Sequence, residues 1–331
     1  MQQAGGELVK HYRDLAFMGF TEVLMNLRTI FRNLKLCKKD ILQFKPDAVI
    51  LIDYPGFNLR ITKWAKKQGL KVIYYISPQV WAWKEGRVRQ MKKYIDKMLV
   101  ILPFEKDYYK NKWNWDVEYV GHPLVEVVEN YKAGNMNKKA EKKIVALLPG
   151  SRRQEIAKKL PLMLKVSKFF PDYQFIVAEA PSVEDEFYKT FTRSYSNVSA
   201  VKNQTYDLLL SAKAALVTSG TATLETALFT VPQVVCYKGS FFSYQIGKRL
   251  VKVKYIALVN LIMNKQVVKE LIQNDLTVEN LQRELKGLLN NEERIGAIKK
   301  DYAALKKVLS EGGNASAKAA ASISAFLKLI T

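Results

Sequence analysis

The stretch "VALLPGSRRQEIAKK", residues 145–159, decides the fold, because it joins an apolar run to a polar, helix-like run through a Pro-Gly-Ser turn. A short apolar run before a turn and a helix is typical of a buried strand in a parallel sheet. Most such junctions bind nothing, and arginines at a helix start are usually solvated. Whether this turn, with Arg152 and Arg153, is built to hold an anion depends on the rest of the chain.

The same alternation of strand-like and helix-like runs occurs on both sides of this stretch. The other strand candidates are residues 47–53, 71–77, 97–103, 117–121, 173–180, 214–220 and 233–239. From about residue 265 the chain, beginning "KQVVKELIQN", is predicted to be helical. This order predicts an α/β fold with two Rossmann-like, doubly wound domains facing each other across a cleft.

A polar, Lys-rich segment separates the two sets of strands. Residues 129–143, "ENYKAGNMNKKAEKK", lack apolar periodicity and are predicted to form an interdomain linker. We therefore expect one domain at 1–140 and a second at 141–331.

The net charge and the cysteine content of the chain restrict the binding partners and the cellular setting that we expect. The 331 residues carry a net charge of +22, shared equally between the two expected domains, which favours nucleic acid, an anionic membrane face or phosphorylated substrates. No apolar run is long enough to predict a transmembrane helix. Cys37 and Cys236 lie in different halves, so neither a disulfide framework nor a metal cluster is predicted, and a reducing cytoplasm is the expected setting.

In the first half, three polar residues follow strand candidates, where ligands bind in open parallel sheets. Asp53, in "LIDYPGFN", either caps the turn at Pro55-Gly56 or acts as a general base at the cleft rim. Gln79 follows the next strand, in "ISPQVWAW". His122, in "YVGHPL", is predicted to be a positioned hydrogen-bonding group or a turn residue rather than a base.

In the second half, two turns are predicted to cradle phosphate, because backbone N–H groups at a helix start bind anions. Arg152 would add a bidentate, charge-assisted contact to a diphosphate. The residues of the two turns are Gly150, Ser151 and Arg152, and then Ser219, Gly220 and Thr221.

Glu225 lies one turn into the helix that follows the second cradle. It is either a surface charge or the acceptor of two ribose hydroxyls, and its apolar neighbours favour the second interpretation. Neither cradle matches a Walker A or dinucleotide-binding motif, so no cofactor is predicted. The chain has no Asp-x-Asp, the usual ligand pair of metal-dependent sugar transfer, so no metal is predicted either.

Near the start, "FMGFTEVLMNLRTIFRNLKLCKK" (17–39) has an apolar stripe at helical spacing, flanked by basic residues. Such a stripe either faces a core or lies in the interface of an anionic membrane. Its members are Phe20, Val23, Leu24, Leu27, Ile30 and Phe31.

Six blocks of sequence, taken in order, resemble the lipid-A-disaccharide synthase family of bacterial glycosyltransferases. They are "SPQVWAWKEGRVRQ", "LPFEKDYY", "VGHPL", "LLPGSRRQEI", "SGTATLETAL" and "YIALVNLIMNKQVVKELIQ". The resemblance implies the GT-B architecture and metal-independent joining of UDP-2,3-diacylglucosamine to 2,3-diacylglucosamine 1-phosphate. The products would be a β-1,6-linked disaccharide 1-phosphate and UDP.

The resemblance also implies roles for individual residues. Asp53 matches the family's candidate base for the acceptor 6-hydroxyl, and Arg152 matches the arginine expected at the UDP diphosphate. Glu225 and Asn260 match positions associated with the donor site. The apolar stripe matches a region implicated in membrane association, which implies a cytoplasmic, peripheral protein on the inner face of the inner membrane.

The family pattern begins with a strand and a Gly-rich loop that precede "MQQAGG", so the first domain is expected to be N-terminally truncated. Alternatives with the same fold are a UDP-sugar epimerase and a peptidoglycan-type glycosyltransferase. A nucleic-acid-binding protein explains the charge but not the residues at the strand ends, so nucleic acid is not an expected partner. The oligomeric state, a homodimer included, is left open.

Overall fold

A computed structural model of the chain describes residues 5–10, 27–135, 143–239 and 253–328. These residues form an α/β fold with two parallel sheets, which confirms the predicted fold class. The chain divides into two compact units. One comprises Met1–Pro78, Gly86–Leu99 and Ala325–Thr331, and the other comprises Gln79–Glu85 and Val100–Ser324.

The first sheet has four strands in the order β1-β2-β3-β4. The strands are β1 (Ala48–Ile52), β2 (Lys71–Tyr75), β3 (Lys97–Val100) and β4 (Glu118–Tyr119). Strand β2 is apolar on both faces because Val72, Ile73 and Tyr74 are all fully buried.

Five helices accompany this sheet: α1 (Leu27–Phe44), α2 (Pro55–Lys67), α3 (Arg87–Tyr94), α4 (Pro103–Trp113) and α5 (Pro123–Gly134). Three of them begin at a proline, namely Pro55, Pro103 and Pro123. Proline suits the first helical position because the N–H that it lacks has no partner there. The strand-to-helix turns of this region are thus encoded directly in the sequence.

The second sheet has six strands in the order β7-β6-β5-β8-β9-β10. They are β5 (Ile144–Leu148), β6 (Gln174–Glu179), β7 (Val198–Lys202), β8 (Ala212–Thr218), β9 (Gln233–Tyr237) and β10 (Lys269–Ile272). All neighbouring pairs are parallel. This is the strand order of doubly wound nucleotide-binding sheets.

Eight helices belong to this part of the chain: α6 (Arg153–Ser167), α7 (Asp185–Thr192), α8 (Thr205–Ser211), α9 (Thr221–Leu228), α10 (Leu258–Met263), α11 (Val278–Asn290), α12 (Glu292–Ser310) and α13 (Ala315–Lys328). The helices α6 to α12 and the six strands enclose one hydrophobic core in which every residue of β5 is buried.

Two predictions about local structure are wrong. Residues 129–134, assigned to a linker, form the last turns of α5, because the Tyr131 ring packs against Tyr206 at 5.2 Å. Residues 269–272, assigned to a helix, form the edge strand β10, which pairs with β9. Strand β7 was not predicted, because this edge strand is largely solvent-exposed and lacks a continuous apolar run.

Candidate active site

A pocket lies where the second sheet changes direction. From β5 the chain proceeds to β6 on one side, and from β8 it proceeds to β9 on the other, which opens a crevice beyond the strand ends. The cavity there has a volume of about 650 Å³. Seven residues predicted to bind a ligand line it: Gly150, Ser151, Arg152, Ser219, Gly220, Thr221 and Glu225.

Two glycines shape the turns at the mouth of this pocket. Gly150 has φ 124° and Gly220 has φ 138°, a region that residues with a side chain rarely adopt. A Cβ on Gly150 would lie 3.0 Å from Glu155 Oε2. The turns bring the chain into α6 and α9 so that the N-termini of both helices adjoin the pocket, an arrangement suited to binding an anion.

The two arginines of the opening stretch have different surroundings. Arg152 lines the pocket, and its Nη1 lies 3.1 Å from Glu155 Oε1 in an ion pair. Arg153 pairs with Glu184, and its guanidinium lies 4.5 Å from the centre of the Phe187 ring. Arg153 thus holds α7 against α6, whereas Arg152 is placed to meet a ligand.

Lys159, which the sequence analysis missed, lies behind the residues that line the pocket and contacts one of them. It is 3% exposed, and its Nζ donates a hydrogen bond to Thr218 Oγ1 at the end of β8. Nζ also lies 3.5 Å from the position of a Cβ on Gly150. Burial lowers the pKa of Lys159, and the carboxylate of Glu155 opposes that shift. The helical spacing of Arg152, Glu155 and Lys159 is the signal that would have revealed a common face.

Glu225 is half-buried at the wall of the pocket rather than a solvated surface charge. The hydroxyl of Tyr206 donates to Glu225 Oε1 at 2.9 Å. Burial raises the pKa of the Glu225 carboxyl, and this hydrogen bond opposes the shift. Glu225 Oε1 is therefore held in place, as required of a group that accepts hydrogen bonds from a ligand.

Asn260 lies outside the residues that line the pocket. It is fully buried, and its Nδ2 donates to Val268 O and Glu270 Oε1, both at 2.9 Å. Its Oδ1 accepts hydrogen bonds from the N–H groups of Val267 and Val268. The Glu270 carboxylate accepts in turn from the Ile256 N–H, so Asn260 fixes the segment that precedes α10.

That segment contacts the pocket through Ser219. The Ser219 hydroxyl, in the second cradle, donates to the carbonyl of Ile256 at 3.1 Å. A chain of hydrogen bonds through Glu270, Ile256 and Ser219 therefore connects Asn260 to the pocket.

In the other unit, Asp53 occupies a strained turn between β1 and α2. Asp53 has φ 47° and Tyr54 has φ 44°, so two consecutive non-glycine residues adopt the left-handed conformation. Each such residue costs about 1–3 kcal/mol, and strain of this kind clusters at functional sites. The side chain of Asp53 is exposed to solvent, while desolvation by the surrounding protein raises the pKa of its carboxyl.

Two side chains hold this turn, and both were missed in the sequence analysis. The Tyr74 hydroxyl donates to the carbonyl of Asp53 at 2.6 Å, and Asn58 Nδ2 donates to the same carbonyl at 2.7 Å. Asn58 also donates to the carbonyl of Ile52. The block "LIDYPGFN" contains Asn58, whose spacing from Asp53 across the helix start is the signal that would have indicated it.

Gln79 is exposed, and the motif around it is anchored by a buried carboxylate. Trp81 Nε1 donates to Glu105 Oε1 at 3.1 Å, and the N–H of Leu102 donates to Glu105 Oε2 at 3.0 Å. The Trp81 ring also contacts the Phe104 ring edge to face. Burial raises the pKa of Glu105 to about 7. The sequence blocks "SPQVWAW" and "LPFEK" therefore meet in space.

His122 begins α5. Its Nδ1 accepts a hydrogen bond from the N–H of Leu124 at 3.2 Å, so it caps the helix. Burial lowers the pKa of His122 to about 4, which keeps the imidazole neutral near neutral pH. A helix cap is compatible with both predicted roles, a positioned hydrogen-bonding group and a turn residue, so the contact of His122 with a substrate stays a prediction.

Helix α1 contains the described part of the apolar stripe. Ile30 is half-buried, whereas Phe31 is 64% exposed and Phe44, at the end of the helix, is 82% exposed. Arg28 and Arg32 are exposed on the same helix. Phe20, Val23 and Leu24 lie outside the described residues, as does the side chain of Leu27. No helix of the described residues is long and apolar enough to cross a bilayer.

Solved structures share the fold. The Staphylococcus aureus MnaA–UDP structure aligns with a TM-score of 0.62 at 13% identity, covering 87% of this chain and 78% of that one. The Neisseria meningitidis UDP-GlcNAc 2-epimerase bound to UDP-GlcNAc has a TM-score of 0.60 at 14% identity, covering 88% and 82%. CalG4, the calicheamicin glycosyltransferase, has a TM-score of 0.58 at 14% identity, covering 94% and 84%. The fold is that of the GT-B glycosyltransferases and related epimerases.

A family model described as lipid-A-disaccharide synthetase matches residues 1–325. The chain belongs to this family of glycosyltransferases, which acts in lipid A biosynthesis on UDP-sugar-type substrates. The lipid-A-disaccharide synthase of Syntrophus aciditrophicus is 40% identical over 326 residues, which cover 95% of this chain and 85% of that protein. The Coxiella burnetii enzyme is 39% identical over 300 residues, covering 88% and 79%. The resemblance inferred from sequence is confirmed.

Proposed function

We propose that the chain joins UDP-2,3-diacylglucosamine to 2,3-diacylglucosamine 1-phosphate, with inversion at the anomeric carbon and without a metal ion. The observation that carries the proposal is the pocket at the β5–β8 crevice, where two helix N-termini and Arg152 adjoin a cavity of about 650 Å³. Fixed N–H groups and a guanidinium can stabilise a leaving diphosphate without a metal ion. We also retain domains 1–140 and 141–331 as the proposed division of the chain.

In the proposed donor site, each side of the pocket has a role. The diphosphate binds at the backbone of Gly150 and Ser151, beside Arg152, and at the second turn, formed by Ser219, Gly220 and Thr221. Glu225 accepts hydrogen bonds from the ribose hydroxyls, since Tyr206 already fixes its carboxylate. Asn260 maintains the shape of the site through Glu270 and Ile256 rather than by donating to the donor, because all its hydrogen bonds lie within the protein.

In the proposed reaction, the Asp53 carboxylate accepts the proton of the acceptor 6-hydroxyl. The resulting oxygen forms a bond to the anomeric carbon from the face opposite the UDP group. The bond from that carbon to the diphosphate oxygen breaks, and UDP leaves with the electron pair, stabilised by Arg152. Desolvation raises the pKa of the Asp53 carboxyl, which makes it a stronger base than an ordinary aspartate. Gln79 contributes a substrate contact, and neutral His122 positions the start of α5.

The test of the function is a two-substrate requirement. We expect UDP release only when both lipid precursors are present, with a disaccharide 1-phosphate as the second product. UDP release without the acceptor, or conversion of UDP-N-acetylglucosamine to its 2-epimer, would instead support the epimerase alternative.

Lys159→Met is expected to raise the dissociation constant for UDP about tenfold, equivalent to about 1.4 kcal/mol of lost attraction to the diphosphate. Stability should be unchanged or higher, because a buried cation carries a desolvation cost that an apolar side chain of similar length avoids. Titration calorimetry with UDP and thermal unfolding measure the two effects.

The neighbouring variant Lys158→Met is the matched control, because Lys158 is exposed on the same helix. It should leave UDP binding unchanged. A lower melting temperature for Lys159→Met with wild-type UDP affinity would assign Lys159 a purely structural role.

We further propose that α1 lies on the anionic inner face of the cytoplasmic membrane. The proposal is supported by the exposed Phe31, which lies next to Arg28 and Arg32 on the helix, and by the exposed Phe44 at the end of the same helix. Phe31→Ser and Phe44→Ser should each weaken binding to phosphatidylglycerol vesicles about tenfold, since burying a phenylalanine contributes about 1.5–3 kcal/mol. Vesicle sedimentation measures this. Phe169→Ser, at an exposed phenylalanine outside α1, should have no effect, and an equal effect of all three variants would contradict the assignment.

A further inference from the structure

A second pocket, separate from the β5–β8 crevice, lies at the start of α2. It has a volume of about 340 Å³ and is lined by residues of α2 and α3 only. We call it the α2–α3 basic pocket. Its lining residues are Pro55, Gly56, Leu59, Arg60, Lys63, Arg87 and Gln90.

The charge of this pocket is of one sign. Arg60, Lys63 and Arg87 contribute three cations, and among the described residues no carboxylate lines it. The guanidinium of Arg60 donates to the carbonyl of Gly56, which holds it over the first turn of α2. In contrast, Lys66 on the same helix is paired with Asp96. The first turn of the 13-residue helix α2 adds its N-terminal partial positive charge to the pocket.

The α2–α3 basic pocket begins close to Asp53 in the chain. Pro55, at its rim, follows Asp53 by two residues, so their Cα atoms lie within about 8 Å of one another. Asp53, Tyr54 and Pro55 form one rigid turn, held by Tyr74 and Asn58. The rim of the α2–α3 basic pocket is therefore continuous in the chain with the turn that carries Asp53.

We propose that the α2–α3 basic pocket binds the phosphate monoester of the lipid acceptor. The inference rests on the proposed function, in which Asp53 deprotonates the acceptor 6-hydroxyl. In that acceptor a single pyranose ring separates the 6-hydroxyl from the 1-phosphate. In this proposal the pocket binds the 1-phosphate while Asp53 contacts the 6-hydroxyl of the same sugar. The two guanidinium groups of the pocket suit the geometry of a phosphate.

The first test compares acceptors with and without the phosphate. Arg87→Ala and Lys63→Ala should each lower kcat/KM for 2,3-diacylglucosamine 1-phosphate about 10- to 100-fold, the effect of losing one hydrogen bond to a charged group. With 2,3-diacylglucosamine, which lacks the phosphate, the same variants should match the wild type. The KM for the UDP donor should not change.

Arg89→Ala and Lys67→Ala are the matched controls, because each removes one exposed cation of the same helices from outside the pocket. They should behave as the wild type with both acceptors. An equal loss with both acceptors, or a loss in the control variants as large as in Arg87→Ala, would overturn the assignment.

An anionic phospholipid headgroup presents the same phosphate chemistry, so a second measurement separates the two sources. Binding to phosphatidylglycerol vesicles should be unchanged in Arg87→Ala. The opposite result would be weaker vesicle binding by Arg87→Ala, with a wild-type ratio of kcat/KM for the phosphorylated acceptor to kcat/KM for the unphosphorylated one. In that case the pocket holds a membrane lipid and the proposal is wrong.

A binding measurement without turnover keeps this inference distinct from the proposed function. Glucosamine 1-phosphate should bind the wild-type chain more tightly than glucosamine, and Arg87→Ala should remove the difference. If the wild type binds the two sugars equally, the pocket assignment is overturned even where disaccharide synthesis is observed. If the difference holds but no disaccharide forms, the pocket stands and the proposed function fails.

Discussion

Asp53→Asn is expected to lower kcat about 10²- to 10⁴-fold, the usual effect of removing a general base. Asparagine has nearly the same shape and tolerates the left-handed backbone conformation that this position requires. The hydrogen bonds that hold the turn run from Tyr74 and Asn58 to the backbone carbonyl of Asp53, so the substitution leaves them intact. The fold and the melting temperature should therefore stay close to wild type while turnover is lost.

The pH profile is a second readout of the same residue. A general base must be ionised, and desolvation raises the pKa of Asp53. In the wild type, kcat/KM should therefore fall as the pH drops through this raised pKa, at a higher pH than for an ordinary aspartate. This fall in kcat/KM at low pH should be absent from the residual activity of Asp53→Asn. Asp47→Asn, at an exposed aspartate just before β1, is the control and should retain both turnover and profile. Wild-type turnover in Asp53→Asn would exclude this residue as the base.

Arg152→Ala is expected to raise the KM for the UDP donor about 100-fold, since a charge-assisted hydrogen bond to a diphosphate contributes about 1.5–3 kcal/mol. The affinity for the product UDP should fall by a similar factor. Arg152 lines the pocket, and the ion pair with Glu155 joins its guanidinium to the first turn of α6.

Arg153→Ala provides the matched comparison. Arg153 is paired with Glu184 and stacked on Phe187, so its loss should lower stability slightly without changing UDP affinity. Calorimetric titration of both variants with UDP measures the difference. Equal effects of the two substitutions on UDP affinity would contradict the assignment of different roles to Arg152 and Arg153.

The fold was predictable wherever burial on both faces leaves a continuous apolar run. All five residues of β5 are buried, and the sequence there is unmistakably strand-like. β10 was not predictable, because Val267, Val268, Leu271 and Ile272 recur at helical spacing. Only pairing with β9 decides its conformation.

The candidate site was predictable to the extent that it follows strand ends. Arg152 and Glu225 were predicted because each follows a strand candidate and its turn. Both line the pocket because the carboxyl ends of β5 and β8 lie side by side in the sheet. Lys159 was not predicted. Its helical spacing places it on the face of Arg152 and Glu155, but its hydrogen bond to Thr218, 59 residues away in the chain, is visible only in the structure. Asn260 was assigned to the donor site by its motif position, and the structure shows instead that it lies outside the pocket lining and that its hydrogen bonds hold the segment around Val268.

The most direct test of the account is the linkage formed by the purified chain in excess EDTA, determined by NMR. The anomeric coupling constant of the product gives its configuration, and a through-bond correlation across the glycosidic oxygen gives the linkage position. We expect a β-1,6-linked disaccharide 1-phosphate, formed at the same rate with and without the chelator. In the proposed mechanism Asp53 is the base, and Arg152 and two helix N-termini stabilise the leaving group. An α-linked product would contradict direct inversion. A rate that collapses in EDTA and returns on adding Mg²⁺ would contradict metal-independent stabilisation of the diphosphate.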